Sequence, residues 1–222
     1  MILSRGRGYL FIHIPKTAGT AMALALEARA MRDDILLGDT PKARQRRHRL
    51  QGVQAAGRLW KHSSLADLQG LLAPNEAQAL FVFTLVCNPW DRMVSYYHWL
   101  RGQRFAHPAV ALARQVPFEA FVLAPETLAA WQAWPARRYV SDAQGRDLCR
   151  CYIRIERFAQ DVAPLTQHLG FALDLPRANT SARARDWRPY YSDAAAQAVA
   201  RAEAEDIARF GYGFDDAGAA TA

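Results

Sequence analysis

Three cysteines among 222 residues make no disulfide framework, and Cys149-x-Cys151 lacks the second pair that a zinc site needs. No metal-ligand cluster stands out elsewhere, so a bound metal is not expected. No apolar run approaches the length of a membrane span, and no signal-like stretch follows the basic residues near the start. The expectation is a cytoplasmic protein, at most membrane-peripheral. Lysine is scarce, almost all of the 28 basic residues being arginine, and the excess over 21 acidic residues leaves a net charge of +7. High Ala and Arg together account for part of that excess, and the rest suits a polyanionic ligand. The densest basic run, Lys42 to Arg49, has no interleaved aromatics, which argues for a solvated helix face or loop over nucleic-acid binding. The nucleotide-loop pattern G-x-x-x-x-G-K-[ST] is missing, and Gly6-Arg7-Gly8 precedes a strand instead of following one, so it is no dinucleotide fingerprint. Repeats and linkers are absent too, which leaves one domain over 1–216 and a disordered tail over 217–222.

What is present is organised around Tyr9 to Thr20. Tyr9 to Ile14 is a short apolar run of the buried-strand type, and Pro15 ends it. A helix is expected from Ala21, with Met22, Leu24, Ala25, Leu26 and Ala28 supplying helix formers and an apolar stripe. Gly19 between them allows a ligand or backbone to approach closely. The free N–H groups of the helix start, with one cation (Lys16) and two hydroxyls (Thr17, Thr20), make an anion site whose usual occupant is phosphate.

The pattern repeats at Leu80 to Val86, a fully buried strand, followed by Cys87-Asn88-Pro89-Trp90-Asp91-Arg92-Met93-Val94-Ser95. Asn88 as N-cap and Pro89 at the first helical position signal a helix. Arg92 and Ser95, one turn apart, share a face that could address an anion. Between the two, Ser64 with Asp67 approximates a capping box, so His62 sits where a short strand gives way to a helix. Further on, a helix is expected over Arg157 to Leu169, capped by Gly170, and a last one over Asp193 to Phe210. Alternating strands and helices imply an α/β fold, a parallel sheet covered on both faces with ligands at the strands' carboxyl ends.

Pro15-Lys16-Thr17-Ala18-Gly19-Thr20 resembles the 5′-phosphosulfate loop of sulfotransferases that use 3′-phosphoadenosine-5′-phosphosulfate (PAPS), above all carbohydrate enzymes of the heparan 2-O type and bacterial relatives. The resemblance runs in order from Phe11 to Phe214, and implies the P-loop-type three-layer fold. It implies that Pro15 to Thr20 bind the 5′-phosphosulfate, with Lys16 catalytic, and that His62 is the catalytic base. Ser95 matches the family's 3′-phosphate serine, whereas Cys87 stands where that motif has an Arg. Losing one charge-assisted hydrogen bond costs about 1.5–3 kcal/mol, roughly ten- to a hundred-fold in affinity. Arg92, or Ser181, Arg183 and Arg185 in a loop that resembles the family's Asn-x-Ser-x-Arg stretch, are the residues that could compensate.

The resemblance points to sulfuryl transfer from PAPS to a hydroxyl acceptor, with a carbohydrate as the expected one, 3′,5′-adenosine bisphosphate as product, and no metal or nucleic acid. The Lys42 to Arg49 run could then line the acceptor cleft and meet an acidic sugar. Two other readings stay open. One is a non-catalytic bisphosphate-binding relative, suggested by Cys87; the other is a diverged phosphoryl-transfer enzyme that prefers ATP with magnesium.

Overall fold

A computed structural model describes residues 1–176 and 183–216. Along the described chain the elements are β1 (Ile2–Ser4), β2 (Tyr9–Ile12), α1 (Gly19–Glu27), β3 (Ile35–Leu36), α2 (Pro41–Arg46), α3 (Pro74–Ala79), β4 (Phe81–Val86), α4 (Pro89–Arg101), α5 (Pro108–Gln115), α6 (Phe118–Leu123), α7 (Pro125–Gln132), α8 (Ala136–Val140), β5 (Cys149–Arg154), α9 (Phe158–Asp161), α10 (Ala163–Leu169), α11 (Asp193–Ala202) and α12 (Ala204–Phe210). They gather into two compact units, a sheet unit from Met1–Val86 and Ala136–Asn179 and a helical unit from Cys87–Pro135 and the chain from Thr180 on. No helix of the described residues is long and apolar enough to cross a membrane.

The sheet unit has five strands in the order β3-β1-β2-β4-β5. Its architecture is α/β, but the sheet is mixed and not parallel throughout: β2, β4 and β5 are parallel, while β1 lies antiparallel to both β2 and β3. The reason lies before the expected first strand. Gly8 adopts a left-handed φ of 65° and donates its N–H to the Arg5 carbonyl at 3.2 Å, a tight turn that folds Ile2–Ser4 back onto β2. Alternation along the strands sorts two buried faces. Tyr9, Phe11, Phe83, Leu85, Cys151 and Ile153 pack with Met22, Ala23 and Leu26 of α1 and with Leu165 of α10. Leu10, Ile12, Val82 and Val86 on the other face are equally buried, and α8 packs against β4. Each such side chain removed from water stabilises the unit by about 1.5–3 kcal/mol.

Three expected helices come out shorter. The segment after Ser64 forms a single 3-10 turn, Ala66–Leu68, although the capping box itself is made: Asp67 Oδ2 accepts from Ser64 N–H at 2.8 Å. The helix expected over Arg157 to Leu169 breaks at Val162 into α9 and α10, because Pro164 cannot donate to the ladder. Its Gly170 cap is left-handed as expected. The final helix breaks at Glu203.

The helical unit begins as its start signal reads. Asn88 Oδ1 accepts from Trp90 N–H at 3.1 Å, with Pro89 in the first turn. The core is aromatic, with Trp90, Tyr97, Phe118, Phe121, Trp131 and Trp187 around Met93, Val94 and Val199. Buried rings with polar tips find partners. Trp90 Nε1 donates to Ala196 O at 2.9 Å, and Tyr191 OH donates to Trp90 O at 2.8 Å. The chain that follows α12 is tied in by Asn88 Nδ2 donating to Gly213 O at 2.9 Å.

Candidate functional site

In the sheet unit, β2 ends at Ile12 and the chain turns through His13 to Ala18 into α1. The turn is made by Lys16 (φ 65°) and Ala18 (φ 56°), both left-handed, while Gly19 has an ordinary φ. Left-handed non-glycine residues cost of order 1–2 kcal/mol each, so the surroundings hold this loop in place. Thr17 supplies one hold: its hydroxyl is buried and donates to Ile14 O at 2.9 Å. That hydroxyl proton is therefore committed to the loop, so the expected second hydroxyl donor to an anion comes down to Thr20, and Thr17 offers its main-chain N–H. Left-handed residues alternating with ordinary ones turn successive N–H groups to a concave side, a shape that takes anions. No side chain caps α1, so its first-turn N–H groups add to that field.

Gly19 serves a purpose the sequence reading missed. A Cβ built there would lie 1.9 Å from Cδ2 and 2.2 Å from Nε2 of His13. The close approach that the glycine permits is that of an imidazole belonging to the same chain. His13 is buried, stacks on Phe11 with ring centroids 5.9 Å apart, and meets the His62 ring edge-on at 4.6 Å. His62 Nδ1 lies 2.8 Å from the main-chain oxygen of His13. A carbonyl only accepts, so Nδ1 carries the proton and Nε2 of His62 holds the lone pair. Burial lowers the His62 pKa to about 4, against the opposing pull of that hydrogen bond. Burial likewise drives His13 well below the usual histidine range. Both imidazoles are neutral at pH 7, and His62 is in the form that can take a proton.

Two cavities share Leu37, Gly38, Asp39 and Lys61 in their linings; of the two histidines His13 lines one of them, and His62 lies next to their shared Lys61 in the chain. The inner one, about 400 Å³, is lined by His13, Thr20 and Leu24 among others. The outer one, about 880 Å³, is lined by Arg47, His48, Arg58, Trp60 and Lys61. Lys61 Nζ meets Asp39 Oδ2 at 2.6 Å on the shared wall, and this contact holds the Asp39 carboxyl below its usual range. Both side chains are partly exposed, and pairs of that kind contribute at most about 1 kcal/mol. The Arg58 guanidinium lies 5.1 Å over the Trp60 ring, which is 40% exposed and stands edge-on to His62. The outer cavity thus offers cations and an aromatic face. The basic run divides its labour: Lys42, Arg46 and Arg49 donate to main-chain carbonyls of Glu27, Met31 and Arg32, while Arg47 and His48 line the cavity.

In the helical unit the expected pairing of Arg92 with Ser95 is not what the helix presents. Arg92 is buried, with its Nη1 3.6 Å from Glu203 Oε2 and its guanidinium 4.6 Å over Trp131. Ser95 is half-buried. The Glu203 carboxyl is buried at the break between α11 and α12, and burial raises its pKa to about 7 against the pull of Arg92. Arg92 is thus engaged in the core, and Trp131 is engaged with it. Cys87 is buried, and its Sγ lies 3.8 Å from Asp91 Oδ2. The other oxygen of Asp91 is 2.6 Å from Arg183 Nη2. A guanidinium therefore stands beside the carboxylate that Cys87 touches, brought by a different stretch of chain. Arg185 is exposed, and Ser181 lies outside the described residues. His13 and Trp60 in the sheet unit, and Asp91 in the helical unit, are residues that sequence reasoning did not single out. The one available signal was a polar residue, His13, inside an apolar run.

No family model matches the chain, and no curated protein matches it in sequence. Among solved structures, mouse sulfotransferase SULT7A1 complexed with PAP is similar, with a TM-score of 0.48 and 13% identity over 92% of this chain and 84% of that chain. A likeness of that size leaves every residue's role to this chain's own geometry.

Proposed function

We propose that the chain moves a sulfuryl group from PAPS to the hydroxyl of a carbohydrate acceptor. The observation that carries this reading is the loop from Pro15 to Thr20: two left-handed residues open an uncapped helix whose first residue is joined, through His13, to a neutral His62. The string's resemblance to a 5′-phosphosulfate loop supports it. Lys16 and the loop N–H groups hold the 5′-phosphosulfate and offset the charge that develops on the leaving phosphate oxygen. His62 Nε2 takes the proton of the acceptor hydroxyl as its oxygen bonds to sulfur and the sulfur–oxygen bond to the nucleotide breaks. The products are a sulfate ester and 3′,5′-adenosine bisphosphate. Positioning and charge stabilisation supply the catalysis, as in phosphoryl transfer. Arg183, Arg185, Ser95 and Ser181 remain the proposed 3′-phosphate residues; Arg183 pairs with Asp91, the carboxylate that Cys87 touches.

The outer cavity is the proposed acceptor site. Trp60 offers a face for a sugar ring, and Arg47, Arg58 and Lys61 favour a saccharide bearing carboxylates. Incubation with sulfur-35-labelled PAPS and paired neutral and uronate-bearing saccharides tests the reading. Labelled ester should form, faster on the uronate-bearing member, and about a hundred-fold or more slowly with His62→Ala. Transfer from ATP with magnesium and none from PAPS would replace the proposal with phosphoryl transfer. Bisphosphate binding with no transfer to any acceptor would make the chain a non-catalytic relative.

A further inference from the structure

We propose that His13 is itself a ligand of the anion at the start of α1, donating a ring N–H to it alongside the loop N–H groups and Lys16. This rests on the reading that an anionic group sits there. His13 is 7% exposed, and no hydrogen bond among the described residues reaches its ring; the bond it takes part in uses its main-chain oxygen. The ring nitrogens keep some accessible surface and take no partner among the described residues, which leaves them open to a ligand of the cavity that His13 lines. The ring edge carrying Nε2 is the edge against Gly19. A helical Cβ leans toward the helix N-terminus, so the ring occupies the flank of the first turn of α1, where the N–H groups lack partners. The same residue lines the inner cavity with Thr20, which places its ring where a ligand of that turn could meet it. Burial keeps the ring neutral, and a neutral imidazole carries one N–H. His13 therefore adds a donor without adding charge.

The test compares His13→Gln with His13→Met, side chains of equal length of which only glutamine carries an N–H donor. Binding of 3′,5′-adenosine bisphosphate is measured by calorimetry, and binding of inorganic phosphate by the shifts of imidazole nitrogens labelled with nitrogen-15. The bisphosphate should bind His13→Gln within about threefold of the parent, and His13→Met about ten- to a hundred-fold more weakly. Thermal midpoints of the two variants should match. Phosphate should move the His13 nitrogen signals in the parent. Equal affinity of the two variants, or weakening of both in step with a fall in midpoint, would make the ring a packing wedge and overturn the proposal. Inorganic phosphate binding that depends on His13, without bisphosphate binding, would uphold the role of His13 while removing the nucleotide reading. Binding of neither ligand to the parent would end both.

Discussion

Gly19→Ala should destabilise the protein by about 3 kcal/mol, a fall of roughly 6–12 °C in thermal midpoint for a chain of this size. Gly19 has an ordinary backbone conformation, so alanine meets no torsional penalty there, and intrinsic helix propensity favours alanine by up to about 1 kcal/mol. Against that stands a Cβ 1.9 Å from Cδ2 and 2.6 Å from Cγ of His13. Cγ is close to the root of the side chain, so the ring cannot slip aside at its tip; it must rotate out of the stack on Phe11 and away from His62. Overpacking therefore outweighs propensity, and the sign of the effect decides between them. The double variant His13→Ala/Gly19→Ala should recover most of the lost stability while leaving anion binding impaired, a coupling of over 1 kcal/mol in a double-mutant cycle. Unchanged or raised stability of the single variant would show that the ring does not occupy this place.

His62→Ala should lower turnover by about two to four orders of magnitude with little change in donor affinity, the usual size of a general base's contribution. The pH dependence distinguishes this from a loss of packing. Burial lowers the His62 pKa to about 4, so the base form persists through neutral pH, and kcat should stay level below pH 6.5, turning down only as pH approaches about 4. The same shift makes the sheet unit sensitive to acid. Because the folded pKa lies below the unfolded value, the contribution is complete above about pH 6.5 and declines as pH falls, by about 1.4 kcal/mol per unit down to the folded pKa. Glu203 works the other way. Its pKa is raised to about 7, so its contribution is complete below the unfolded carboxyl value and declines as pH rises toward 7. Urea midpoints followed from pH 7 to 5 should therefore show a smaller loss in His62→Gln than in the parent. A kcat profile that breaks near pH 6.5 would mean that His62 is solvated and not held as described.

The parts of the site that were legible in the sequence are those set by neighbours in the chain. An apolar run ended by proline, small residues and a helix stripe mark the loop after β2, and Asn88-Pro89 marks the start of α4, because strand burial and capping act over a few residues. His62 was found through Ser64 and Asp67, although the helix they announce is one 3-10 turn, since a capping box can close without a helix behind it. What was illegible depends on partners far along the chain. Helical spacing puts Arg92 and Ser95 a turn apart, but the direction Arg92 takes is decided by Glu203 and Trp131. His13 reads as one polar residue in a strand until its carbonyl meets His62 and its ring meets Gly19. The antiparallel strand β1 turned on Gly6-Arg7-Gly8, read only as a failed nucleotide motif.

The central claim is that the loop from Pro15 to Thr20 binds the phosphate end of an adenosine bisphosphate. Calorimetric titration with 3′,5′-adenosine bisphosphate, against 5′-AMP and ATP with magnesium, on the parent and on Lys16→Ala, tests it most directly. The account predicts clear preference for the bisphosphate and a loss of about tenfold or more without Lys16, the worth of one hydrogen bond to a charged group. Equal binding of the three nucleotides, or affinity indifferent to Lys16, would contradict it.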